Sequence, residues 1–143
     1  MDNFKHQLAK EALLKVESIA IVGASSNQKR DSFKVMKNLI SNNYKIFPVN
    51  PYEKNNIILG QKCYSDIEEI EEDVDMIDIF RSHEAILGIT RQAIKIRSKV
   101  LWMQEGIIHQ EAASLAERAG LIVVMDMCPK KILSSSNWTT KSK

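Results

Sequence analysis

Apolar residues recur along this chain in two alternating rhythms. Phe4, Leu8, Ala12 and Val16 fall at every fourth position, the spacing of one helix face, while Lys5, Lys10, Glu11 and Lys15 lie elsewhere. An N-terminal helix over 1–17, packed on the rest of the domain, is predicted. The run SIAIVGA from Ser18 is nearly continuous in apolar character, as a parallel strand covered on both faces requires. Asp31 or Ser32 can then cap a helix running to about Asn42, with Phe33, Met36, Leu39 and Ile40 turned inward.

The alternation continues downstream. YKIFPVNP, Tyr44 to Pro51, predicts a second strand stopped by Pro51, which has no N–H for a ladder. Residues 52–64 read as a loop with a short extended piece, and Ser65 to Glu68 has the S-x-x-E spacing of a capping box before a short helix. DMIDIF, Asp75 to Phe80, predicts the third strand, with Ser82 capping a helix from His83 to about Arg97. KVLWMQ and LIVVMDM predict two more, separated by the helix HQEAASLAERA, which Gly120 closes. Strands alternating with helices at this spacing predict an α/β domain over 18–133, its parallel five-stranded sheet carrying helices on both faces. The polar, aperiodic stretch 134–143 is expected to be a flexible tail in which Trp138 can dock.

Composition narrows the function. With 143 residues, 20 basic against 18 acidic side chains and a formal charge of +2, the chain has the balance of an ordinary globular domain. Neither nucleic acid nor an anionic membrane is indicated as a partner, so any anion binding must be local. No apolar run nears the ~20 residues that cross a bilayer, and the charged start does not read as a signal peptide. A cytoplasmic protein with reduced thiols is expected, since Cys63 and Cys128 form no C-x-x-C pair. His6, His83 and His109 sit in three separate segments, which argues against a metal site.

In an open parallel sheet, ligands gather beyond the carboxyl ends of the strands, where strand order reverses. The loop GASSNQKR offers a close approach at Gly23, the hydroxyls of Ser25 and Ser26, and Lys29 and Arg30 before a helix N-terminus, all of which suit phosphate. It lacks the later glycines of the dinucleotide fingerprint. The second strand ends in VNP, where a dinucleotide site of the NAD type wants an acid, and none follows until Glu53. Arg81 emerges at the end of the third strand, either to hold phosphate or amide oxygens or to pair with Asp78 or Glu84. Glu105 stands best for acid or base work, or else as a cap or ion-pair partner. Cys128 either faces a pocket or is a buried or simply wall-forming thiol, and Trp102 reads as core.

Taken in order, VGASSNQKRDSFKVMKNLI, YKIFPVNP, LGQKCYSDIEEI, VDMIDIFR, VLWMQEGI and EAASLAERAGLIVVMDMCP closely resemble the small bacterial CoA-binding domain proteins. The similarity runs from about Ser18 to Pro129. It implies a Rossmann-like CoA-binding fold, similar to the N-terminal domain of the succinyl-CoA synthetase α chain. Carried over by motif, Gly23, Ala24, Ser25, Ser26 and Arg30 hold phosphate and nucleotide, and Val49, Asn50 and Pro51 line the adenine or ribose side. Phe80 and Arg81 match the family's FR, Gln104, Glu105 and Gly106 its QEG turn beside the pantetheine arm, and Cys128 and Pro129 its closing CP.

Two positions depart from the family. Asn43 stands for a glycine before the second strand, a place where asparagine also accepts a left-handed turn. Met127 replaces an arginine before the cysteine, which lowers affinity if that arginine holds ligand. The resemblance implies non-covalent binding of coenzyme A or an acyl-CoA. The synthetase domain that carries a phosphorylated histidine has no counterpart here, so no independent catalysis is expected. Two alternatives stay open: an NAD(P)-binding or CoA-dependent enzyme using Glu105 or Cys128, and an interaction module with a vestigial nucleotide pocket. A homodimer or a protein partner is compatible with either.

Overall fold

A computed structural model describes residues 2–135, and their side chains from residue 4 onward; Trp138 and the rest of 136–143 lie outside the described residues. In chain order the elements are α1 (Asp2–Lys15), β1 (Ser18–Val22), α2 (Asp31–Ser41), β2 (Lys45–Val49), β3 (Ile57–Ile58), β4 (Gln61–Lys62), β5 (Met76–Ile79), α3 (His83–Lys95), β6 (Val100–Met103), α4 (Gln110–Arg118), β7 (Ile122–Val124) and α5 (Pro129–Leu133). Single 3₁₀ turns cover Pro51–Glu53 and Ile67–Glu69.

Five strands form one parallel sheet in the order β2-β1-β5-β6-β7. The chain winds outward from β1 to β2, then returns to place β5 on the other side of β1. That reversal opens a crevice between the carboxyl ends of β1 and β5. Strand alternation divides the core. Ile19, Ile21, Met76 and Trp102 pack under α1, α2 and α5, while Ala20, Ile77, Leu101 and Met103 pack under α3 and α4. Both faces are covered, which is why β1, β5 and β6 are apolar almost throughout. Each fully buried Ile or Leu adds about 1.5–3 kcal/mol relative to exposure.

Several local expectations need correction. Phe4 is 73% exposed, and the buried face of α1 is Ala9, Ala12 and Leu13, with Val16 buried just beyond its end. Neither Asp31 nor Ser32 caps α2; the N-cap is Arg30, without a side-chain bond. Ser82 is the N-cap of α3 but likewise makes no side-chain bond. The capping box fails by one residue: Asp66, not Ser65, caps the 3₁₀ turn by accepting from Glu68 N at 2.8 Å.

The 52–64 loop contains the antiparallel hairpin β3–β4, turning through Leu59 and Gly60, both at positive φ. After β7 the chain enters α5 at Pro129, with Cys128 as the N-cap. Pro48 sits inside β2 because β2 is the sheet edge, where a missing N–H is tolerated. Asn43 adopts φ 72°, the left-handed turn expected of it. Tyr44 ties α1 to the sheet: its hydroxyl donates to Leu13 O at 2.7 Å, and burial raises its pKa to about 12.

Candidate functional site

The crevice begins with a contact between two loops. Phe80 N donates to Val22 O at 2.8 Å, extending the β1–β5 ladder by one bond. Gly23, at φ +96°, passes so close that a Cβ there would lie 2.6 Å from Phe80 O. Only glycine fits both the conformation and the space.

Most backbone donors of the loop after β1 are already taken, by the loop itself or by the last residue of β2 and the segment that follows it. Gly23 N and Ala24 N both donate to Val49 O, at 2.9 and 3.2 Å, so they do not face an anion as the sequence suggested. Ser26 N donates to Glu53 at 2.9 Å, and Asn27 N to Ser25 Oγ at 3.0 Å. Asn50 fastens the loop from below: Nδ2 donates to Ala24 O at 2.8 Å while Oδ1 accepts from Tyr52 N at 2.9 Å. Burial pushes the Glu53 carboxyl up, but bonds from Ser26 and Asn56 outweigh it and hold the group below the usual range. The polar groups of this segment that still face the cleft are Ser25, Lys29, Arg30 and the first turn of α2, where Lys34 N is the first to close a bond back to Arg30 O.

Two clefts open at this edge and share Asp31, Phe80 and Arg81. The first, 520 Å³, is lined by Gly23, Ala24, Ser25, Lys29, Arg30, Ser32, Asn50 and Tyr52 besides the shared three. The second, 640 Å³, adds Lys34, Val35, Gln104, Glu105, Ile107, Cys128, Lys130, Lys131 and Ser134. Together they run from the β1 loop across β5 to β6 and β7. Arg81 is exposed where they meet, and among the described residues it makes no ion pair, so neither Asp78 nor Glu84 claims it.

Most of the residues singled out by sequence come together here: Gly23, Ala24, Ser25, Arg30, Asn50, Phe80, Arg81, Gln104, Glu105 and Cys128 all line one cleft or the other. Ser26, Val49, Pro51, Gly106 and Pro129 do not. Val49 and Ser26 hold the loop through backbone bonds, and Pro51 starts the 3₁₀ turn. Gly106 N donates to Asp126 at 2.7 Å, and Pro129 is buried at the start of α5. Glu105 is paired with Lys131 at 2.8 Å, which leaves it a rim group rather than an isolated acid.

Sequence reasoning missed Tyr52, 94% exposed on the cleft wall, although its place directly after the second strand's VNP marked it. It also passed over Lys34 and Lys130, and read Asp78 only as a candidate partner of Arg81. The histidines, separate in sequence, are partly brought together: the rings of His83 and His109 stack with centroids 4.2 Å apart and planes 12° from parallel. Among the described residues no group of three or more histidine, cysteine or acidic side chains is arranged to hold a metal. Trp102 is fully buried, and its Nε1 donates to Met127 O at 2.8 Å.

A larger cleft, 680 Å³, lies at the opposite edge between Lys15, Asn42, Lys45, Asp75 and Lys99. Two of its lysines are matched by acids: Lys45 pairs with Glu72 and Lys99 with Asp75. Four acids, Glu17, Glu72, Asp73 and Asp75, line it beside the three lysines, so its charge does not favour an anion as that of the first cleft does.

A model of the CoA-binding domain matches residues 17–134. The chain belongs to the CoA-binding domain family. YneT of Bacillus subtilis is 33% identical over 130 residues, 91% of this chain and 95% of that protein. A solved hypothetical protein from Pyrococcus horikoshii OT3 is 36% identical with a TM-score of 0.82, covering 90% of this chain and 89% of the other. The ADP-forming acetate–CoA ligase of Methanocaldococcus jannaschii is 42% identical over 60 residues, which are 42% of this chain but 8% of the ligase. The five-stranded parallel sheet is thus the CoA-binding domain's Rossmann-like fold. Among the described residues no helix is long and apolar enough to cross a membrane.

Proposed function

We propose that this chain binds coenzyme A or an acyl-CoA non-covalently in the paired clefts at the carboxyl edge of the sheet, without catalysing a reaction alone. The observation that carries the reading is Arg81, exposed and without an ion pair among the described residues, at the junction of a phosphate-suited cleft and a longer one beside it. Phosphates would lie against Ser25, Lys29, Arg30 and the first turn of α2. Tyr52 offers an aromatic face for adenine, and the arm would cross Phe80 towards Gln104 and Cys128. The family membership and the ligase match support coenzyme A over NAD, as does the end of β2, where Glu53 is engaged with Ser26 N.

Isothermal titration with coenzyme A, NAD and NADP tests this reading. A one-to-one complex with coenzyme A alone, weakened at least tenfold by Arg81→Ala, is the expected result. Selective NAD or NADP binding would overturn it. A vestigial pocket has one observation of its own, Met127 in place of the family's arginine, and predicts no binding of any of the three.

A further inference from the structure

Asp78 occupies a place where an acid is costly. It lies within β5 and is fully buried, with Ile21 of β1 and Trp102 of β6 as register partners, both also without exposure. Among the described residues no ion pair includes it. The polar group it meets is the side-chain amide of Gln104, at 3.0 and 3.1 Å from its two carboxyl oxygens. Gln104 is itself 6% exposed and lines the second cleft, so the amide links a buried acid to the ligand wall.

Two hydrogen-bonded arrangements are open to this pair; the two distances by themselves suit the first, and the burial of the acid decides between them. With an ionised Asp78, the Gln104 nitrogen donates to both carboxyl oxygens and the amide oxygen turns to the cleft. With a protonated Asp78, the carboxyl O–H donates to the amide oxygen and the –NH₂ turns to the cleft. Burial pushes the Asp78 carboxyl well above its ordinary range, and a single amide is poor compensation for a charge between Ile21 and Trp102. The charged residues lining this cleft, Asp31, Lys34, Arg81, Glu105, Lys130 and Lys131, are all exposed.

We propose that Asp78 is a positioning residue that keeps the Gln104 amide with its –NH₂ directed into the cleft, so that this wall recognises a carbonyl oxygen of the bound ligand. The proposal rests on the CoA reading for its ligand, whose arm offers such an oxygen from two sources: the pantetheine amides and the thioester of an acyl group. It is independent of that reading for the state of the Asp78–Gln104 pair.

The test combines a spectrum with a binding panel. In the ligand-free protein at pH 7, the Asp78 carboxyl ¹³C signal should be that of the neutral acid; a carboxylate signal overturns the proposal even if coenzyme A binds. Coenzyme A, acetyl-CoA and S-ethyl-CoA, which lacks the thioester carbonyl, are then titrated against the wild type and Gln104→Met, with melting confirming that the variant is folded. Acetyl-CoA should also shift the Gln104 side-chain N–H signals in the wild type, which a purely structural amide would not show. A roughly 5- to 10-fold loss in Gln104→Met for acetyl-CoA alone assigns the thioester, and the same loss for all three assigns a pantetheine amide. Unchanged affinities in the variant overturn the proposal alone, whereas a wild type that binds none of the three overturns the CoA reading with it.

Discussion

Gly23 and Phe80 meet across the switch point of the sheet with no room for a side chain: a Cβ on Gly23 would lie 2.6 Å from the Phe80 carbonyl oxygen. Two loops that must shape one cleft are therefore fixed to each other by an absence. Gly23→Ala combines a left-handed backbone with a clash against main chain, which cannot swing aside as a side-chain tip would. It should cost about 2–4 kcal/mol, read as a lowered midpoint in urea, and should weaken CoA binding in whatever fraction stays folded. A variant as stable as the wild type would mean that the two loops are not held this closely.

Asn50 is a second fastening. Its amide donates to Ala24 O and its oxygen accepts from Tyr52 N, so one side chain holds the β1 loop to the start of the 3₁₀ turn. Asn50→Ala should lower stability by about 1 kcal/mol in chemical unfolding, the usual value of a lost cap, while affinity for coenzyme A falls further than stability does. Asn50→Asp keeps the acceptor but not the donor and should recover part of the stability with little of the binding.

Asp78 makes stability depend on pH in a definite direction. Its carboxyl is raised in the folded protein by burial, so the native state holds the proton more tightly than the unfolded chain does. Its contribution is complete below the unfolded value of about 3.9 and is lost as pH rises through the folded value. Asp78→Asn, which needs no proton, should raise the melting temperature at pH 7 and flatten the decline above pH 4. A variant less stable than the wild type at pH 7 would indicate that the carboxyl is ionised and held by a donor.

Tyr44 gives a second window at the alkaline end. Its phenol is raised to about 12 by burial, and its hydroxyl donates to Leu13 O. The stability it supplies is intact below the unfolded value of about 10 and disappears as pH rises through the folded one. Tyr44→Phe leaves the Leu13 carbonyl without this donor and should cost about 1–2 kcal/mol at pH 7 while removing that alkaline loss. Equal alkaline unfolding curves for the two proteins would exclude Tyr44 as the cause.

The fold was legible because burial on both faces makes strands such as SIAIV and VLWM continuous apolar runs, and each is followed by a helix with one apolar face. Most of the cleft wall followed from the same logic, since loops after parallel strands share one edge. What the pattern hid was how backbone donors are used. Nothing in GASSNQKR says that Gly23 N and Ala24 N are taken by Val49, because that depends on where β2 ends beside β1. Capping was also misread by a residue at Ser65 and Asp66, since both types cap and only the chain's path selects between them. Asp78 was visible as an acid inside an apolar strand. Its partner was not, because Gln104 lies 26 residues further on and meets it only through sheet register.

Calorimetric titration of the purified chain with coenzyme A, run beside Arg81→Ala, decides whether the paired clefts are a CoA site. The wild type should form a saturable one-to-one complex and the variant should bind at least tenfold more weakly. The variant's melting temperature should stay that of the wild type, because Arg81 is exposed and makes no ion pair among the described residues. No heat of binding with coenzyme A or acetyl-CoA at millimolar concentration, or equal affinity in the two proteins, would contradict a CoA site built around Arg81.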